Sequence, residues 1–190
     1  MSAVQPFVPG ADAVKINPQE AARQKRTAQT RRRVARLAPK PGDVLLFYGP
    51  ERGRSRLICW FTRSRFYHVG IYAGDGKVIE ARIPSVICRD LYDSDGCRFV
   101  VIRAPENTGN AVLDWARERI GHAYDTRGVI QLGLRRLFPF LPFGPRPDNA
   151  FVCGSFVARA FAHAGVDLFA GRDRDHIAPC DFAALLPRYA

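Results

Sequence analysis

The run HVGIYAGDGKVIEARI, residues 68–83, leaves little choice of local structure. Two segments rich in β-branched and aromatic residues flank Gly74-Asp75-Gly76, so the chain is expected to double back there as an antiparallel hairpin. With Gly76 in the left-handed position of a three-residue loop, Ala73 pairs with Lys77, Gly70 with Glu80 and His68 with Arg82. His68 and Glu80 then become diagonal neighbours on one face, and Gly70 leaves room for the carboxylate to reach the ring. A two-residue turn would put Glu80 on the other face, so the pairing depends on loop length.

The same alternation of short β-rich runs and turns continues around the hairpin. DVLLFY (43–48) and RFVVIRA (98–104) read as strands beside HVGIYA (68–73) and KVIEARI (77–83), and SRLICWFTRS (55–64) as a short helix. GNAVLDWARERIG is a helix stopped by Gly121, and FVCGSFVARAFAHAG a buried helix stopped by Gly165. Strands first and helices after define an α+β domain with an antiparallel sheet packed on helices. Upstream, NPQEAARQKRTAQTRRRVARLA (17–38) has Asn17 as N-cap, Pro18 at the first helical position and Glu20 in the first turn. Its apolar face is thin (Ala21, Ala28, Val34, Leu37), so it reads as a helix that does not fold alone, preceded by a flexible tail over 1–16. PKPG (39–42) divides a basic arm, 1–40, from the domain, 41–190.

Charge follows that division. The chain carries 29 Lys and Arg against 18 Asp and Glu, net +11. Nine basic and two acidic residues fall in the first 40, so +7 of the charge belongs to the arm. The arm is therefore the expected surface for a protein or polyanion partner, although it lacks the interleaved aromatics of a nucleic-acid binder. The opening MSAVQPFVPGADAV has no signal-peptide pattern. The most apolar stretch, VIQLGLRRLFPFLPFGP, is broken by two arginines and three prolines and falls short of the ~20 residues of a transmembrane helix. The expected location is the cytoplasm, or a phage particle or other assembly that carries the protein. Five cysteines without CxxC spacing read as reduced thiols, and no metal or cofactor is expected. Asp173, Asp175, His176, Cys180 and Asp181 read as a polar loop.

Cys153 opens the buried helix. Unpaired N–H groups and the helix dipole favour a thiolate at such a position, and the small Gly154 and Ser155 allow a substrate carbonyl to approach. A cysteine nucleophile needs a histidine base and a third group to orient it. Cys153, His68 and Glu80 supply that set, although each alone is an ordinary packing or surface residue.

In order and spacing, GDVLLF, SRFYHVGIYAG, VIEA, GHAYD and FVCGSFVARAF resemble the circularly permuted branch of the NlpC-type papain-like cysteine hydrolases, which includes the YiiX-like and lecithin retinol acyltransferase-like proteins. In that branch the histidine strand precedes the cysteine helix, and a third polar residue lies about twelve positions beyond the histidine, where this chain has Glu80. The resemblance spans roughly residues 41–185 and includes HIAPCDFAALL. It implies a permuted papain-like fold and a cysteine peptidase or amidase using Cys153, His68 and Glu80, with bacterial cell-wall peptides foremost as substrate. It also brings Tyr124 of GHAYD near the pocket. Two alternatives stand beside it: an acyl hydrolase or acyltransferase on lipid, and a structural or interaction component of a larger assembly such as a phage particle. The apolar segment 129–150 departs from the family pattern and reads as a loop that packs on the core, covers the cleft, or docks on lipid or protein.

Overall fold

The computed structural model describes residues 17–49, 59, 63–92, 98–137, 140 and 149–186, the side chains of 132–133 and 135–137 excepted. The tail 1–16, most of the expected helix 55–64 and all of 138–148 except Phe140 lie outside that set. Strands β1 (Val44–Tyr48), β2 (Phe66–Gly74), β3 (Lys77–Ala81), β4 (Val86–Asp90) and β5 (Arg98–Ile102) form one sheet in the order β4-β3-β2-β1-β5. All neighbours are antiparallel. With the helices around it, this is an α+β domain.

The β2–β3 turn differs from the three-residue loop expected. Gly74 pairs with Lys77, which leaves Asp75 and Gly76 as a two-residue turn at φ 49° and 72°. Both values are left-handed, a region that Gly enters freely and Asp tolerates. A register shift between Tyr72 and Gly74 makes Ala73 an extra residue, and beyond it Tyr72↔Val78 and Ile71↔Ile79 follow the expected register. The bulge cancels the shorter turn, so Glu80 stays on the face that loop length alone would have denied it.

One face of the sheet is covered by α2 (Gly109–Glu118) and α4 (Cys153–His163). Ile71, Ile79, Trp115, Phe156, Phe161 and Phe182 are among the buried residues of this cluster. Trp115, Phe151 and Phe156 meet pairwise with ring centroids 5.6–5.7 Å apart. Two 3₁₀ segments, Arg174–His176 and Pro179–Leu185, pack against α4 and against β2 respectively. Two short strands unread in the sequence, β6 (Ala123–Tyr124) and β7 (Ala150–Phe151), pair in parallel just before α4.

The opposite face carries a second cluster of Leu45, Phe47, Tyr72, Val78, Leu91 and Phe99. Helix α1 (Pro18–Leu37) lies against it, with Val34 and Leu37 packed on those residues. Asn17 caps it by accepting the Gln19 N–H at 3.0 Å, as expected of an N-cap Asn. At the other end Arg103 donates to the Leu37 and Ala38 carbonyls at 2.7 and 2.9 Å and to Asp43 at 2.8 Å. Helix α1, expected as part of a basic arm, is thus packed on the sheet through Val34 and Leu37 and held at its end by Arg103. The physical reason is that β1 and β5 are apolar on both faces, and the second face needs a cover.

The segment from 129 is likewise not a plain loop. Thr126–Leu137 forms α3, with Ile130 and Leu134 exposed. No helix among the described residues is long and apolar enough to cross a membrane.

Candidate active site

His68 sits at an irregularity of β2. Phe47 pairs with His68, but Tyr48 pairs with Phe66, so Tyr67 is an extra residue. Phe66 and Val69, three positions apart, therefore both reach the α2–α4 side, which an uninterrupted strand forbids. Tyr67 packs toward the α1-side cluster, in line with a core role, and its ring lies nearly parallel to that of His68. Phe47 flanks the His68 ring with centroids 5.6 Å apart.

Glu80, fully buried in β3, reaches His68 across the strands: Oε2 lies 3.0 Å from Nε2. Gly70 makes the contact possible, because a Cβ there would meet Val78 Cγ2 at 2.8 Å and Glu80 Cβ at 3.1 Å. The Glu80 carboxylate is not held by His68 alone. Arg89 on β4 donates from Nε to Oε1 at 2.6 Å and from Nη2 to Oε2 at 3.3 Å, and Arg82 donates to Oε1 at 3.2 Å.

Cys153 is the first residue of α4 and is 7% exposed. The first intrahelical bond runs from Phe156 N–H to Val152 O, so the N–H groups of 153–155 have no partner within the helix. Its thiol is close enough to the His68 ring to help raise the ring's pKa. With Nε2 committed to Glu80, Nδ1 is the nitrogen left for sulfur.

Two neighbours have other work than that expected. The space beside Gly154 is taken by the Ile177 carbonyl, and a Cβ would collide with it. Gly154 is therefore a close-packing position against Ile177. Ser155 is buried; its Oγ accepts the Val152 N–H at 3.2 Å and donates to the Val152 carbonyl at 3.1 Å. It closes the helix start and is a structural residue. Tyr124 is half-buried against the main cluster and pairs with Phe151, two positions before Cys153. The ladder places it beside the start of α4.

The electrostatics follow from burial and pairing. Burial alone would lower the His68 pKa, but the Glu80 charge and the Cys153 thiol outweigh it and push it up to about 9. Burial would raise that of Glu80; His68 and Arg89 instead hold it well below the usual carboxylate range. The ring is thus favoured in its charged form, opposite a carboxylate that stays charged.

The remaining candidates resolve into structure. His122 packs on Phe151 and His163 on Trp115. Asp175 pairs with Arg159, Asp173 with His176 and Asp181 with Arg172, so the acidic loop is held by its own ion pairs. Among the described residues no His, Cys, Asp and Glu group is placed to hold a metal ion. Of the other thiols, Cys88 is exposed on the edge strand β4. Burial pushes the Cys59 thiol up, and Cys97 lies outside the described residues. Arg89 escaped the sequence reading because β4 did; the adjacent Val86 and Ile87 were the available signal. Comparison of the chain with protein-family models and with curated proteins gave no match.

Proposed function

We propose that this protein is a cysteine hydrolase of permuted papain-like fold that cleaves amide bonds. The observation that carries the proposal is the His68 ring, hydrogen-bonded through Nε2 to buried Glu80, with the helix-opening Cys153 close enough to raise its pKa. In the reaction, sulfur gives its proton to His68 Nδ1 and attacks the carbonyl carbon. The Cys153 N–H, at the positive end of α4, stabilises the oxyanion. His68 then protonates the leaving amine, and water, deprotonated by the same ring, hydrolyses the thioester and frees the thiol. Glu80 keeps the ring oriented throughout. Peptides of the bacterial cell wall are the foremost substrates, on the strength of the sequence resemblance.

A second substrate class draws on one feature. Ile130 and Leu134 on α3 are 64% and 38% exposed, and Phe140 beyond it is 78% exposed. α3 starts two positions after Tyr124, so this apolar surface lies close in sequence to the site. It favours an acyl hydrolase or acyltransferase working on lipid by the same chemistry.

Limiting iodoacetamide at mildly acidic pH, followed by peptide mapping, tests the nucleophile. Cys153 is expected to react ahead of exposed Cys88, and the preference to shrink in His68→Ala. If Cys153 labels no faster than Cys88, the catalytic assignment is wrong and an interaction role becomes the better account. Mass spectrometry after incubation with defined muropeptides and with phospholipids separates the two substrate classes.

A further inference from the structure

The Glu80 carboxylate is unusual in having no solvent exposure and yet three cationic neighbours. The groups facing it are His68 from β2, Arg82 just beyond β3 and Arg89 from β4, while Cys153 from α4 faces His68. Arg82 is half exposed and makes one contact, so water can replace it. Arg89 differs on both counts: its side chain is 17% exposed, and its Nε and Nη2 lie along the two carboxylate oxygens. Such a planar fork sets orientation as well as charge, which an ammonium does not. Its guanidinium also lies over the Phe47 ring, 5.7 Å from the centroid, and Phe47 in turn packs against His68.

We propose that Arg89 is a positioning residue of this site: its guanidinium fork keeps the buried Glu80 carboxylate charged and turned toward the His68 ring. The inference rests on the assignment of Cys153, His68 and Glu80 as nucleophile, base and orienting acid. Without the fork, a carboxylate shut off from water takes up a proton as the pH falls, and a neutral acid no longer supports the imidazolium. A residue that only tied β3 to β4 would affect stability and nothing else, since the ladder between those strands already pairs Val78 with Arg89 and Glu80 with Ile87.

The test is the rate of Cys153 alkylation by iodoacetamide between about pH 4 and pH 9, in wild type, Arg89→Met, Arg89→Lys and Arg82→Gln, each also melted. In Arg89→Met the acid limb of the profile is expected to move up by about one pH unit or more. Arg89→Lys keeps the charge and loses the fork: the limb stays near its wild-type position and the plateau rate falls several-fold. Arg82→Gln shifts the limb less than Arg89→Met. If the wild-type Cys153 labels fast and the Arg89→Met profile matches it, with only the melting temperature lowered, Arg89 is a staple and the proposal is overturned alone. Should Arg89→Met fail to fold, Arg89→Lys decides: a wild-type plateau overturns the fork. Wild-type labelling of Cys153 no faster than Cys88 overturns the catalytic assignment and this inference with it.

Discussion

Helices α4 and α1 both lie on the one sheet, on opposite faces, and they are attached in different ways. α4 is buried along six consecutive residues from Cys153 to Ala158, and its hold is apolar. α1 buries Thr30 alone and touches the sheet through Val34 and Leu37. Polar contacts do the rest: Thr27 donates to the Tyr92 carbonyl, Arg33 to the Tyr48 hydroxyl, Arg31 lies over the Tyr92 ring, and Arg103 clamps the helix end. Hydrogen bonds of that kind are worth about 0.5–1.5 kcal/mol each, against about 1.5–3 kcal/mol for burying one large apolar side chain. The face under α4 is built to stay put, and the other is latched.

The largest effect is expected at the His68–Glu80 pair, whose side chains stand on the α1 side of the sheet with Phe47 and Val78. Glu80→Gln and Glu80→Ala are both expected to lower kcat/KM at least about 100-fold, the scale of lost base orientation. All the groups around Glu80 are donors, so a glutamine amide brings an NH₂ that none of them accepts. The partial retention that a hairpin considered alone would allow to glutamine is therefore not expected. A Glu80→Gln rate within a few-fold of wild type would remove Glu80 from the site.

Next comes packing. Phe156→Ala should cost about 3–5 kcal/mol in denaturant unfolding, since the side chain is fully buried among aromatic rings. Val34→Ala, on half-buried α1, should cost no more than about 1 kcal/mol. Equal losses would erase the distinction between the two faces. Removing residues 1–38 altogether should lower the melting temperature, because Leu45, Phe47 and Phe99 lose cover; an unchanged value would return α1 to the status of an appendage.

A further effect is in pH. His68 has a folded-state pKa above its ordinary 6.5, so its stabilisation is complete below about pH 6.5 and fades as the pH rises through about 9. Glu80, depressed in the fold, contributes fully above its ordinary 4.5 and loses its contribution as the pH falls below that. Melting temperature should thus be highest between about pH 4.5 and 6.5, and His68→Gln should flatten the alkaline decline. A decline of the same slope in that variant would assign it to other groups.

Much of the site was legible because it is local. His68, Glu80 and Gly70 belong to one hairpin, and strand periodicity places them together even though the turn was one residue shorter than expected. Cys153 was legible from its helix, whose start is marked by the small residues Gly154 and Ser155, although those residues turned out to serve packing and capping. What escaped notice depends on distant partners. The cover over the second face was implied by the unbroken apolar runs VLLFY and RFVVI, which need burial on both sides. β4 was missed because its five residues mix Val86 and Ile87 with Arg89 and Asp90, a composition that gains strand character only beside β3.

The separation of the site along the chain has a consequence in time. His68 and Glu80 are twelve residues apart and can meet as soon as the hairpin forms, whereas Cys153 lies 85 residues beyond His68. Short closures precede long ones, so the imidazole should be in place well before α4 docks. During synthesis Cys153 emerges last of the three and stays an ordinary thiol until the core has closed around it. Pulsed alkylation during refolding should find the heightened reactivity of Cys153 only in the final phase, and its appearance in an early phase would show that α4 docks first.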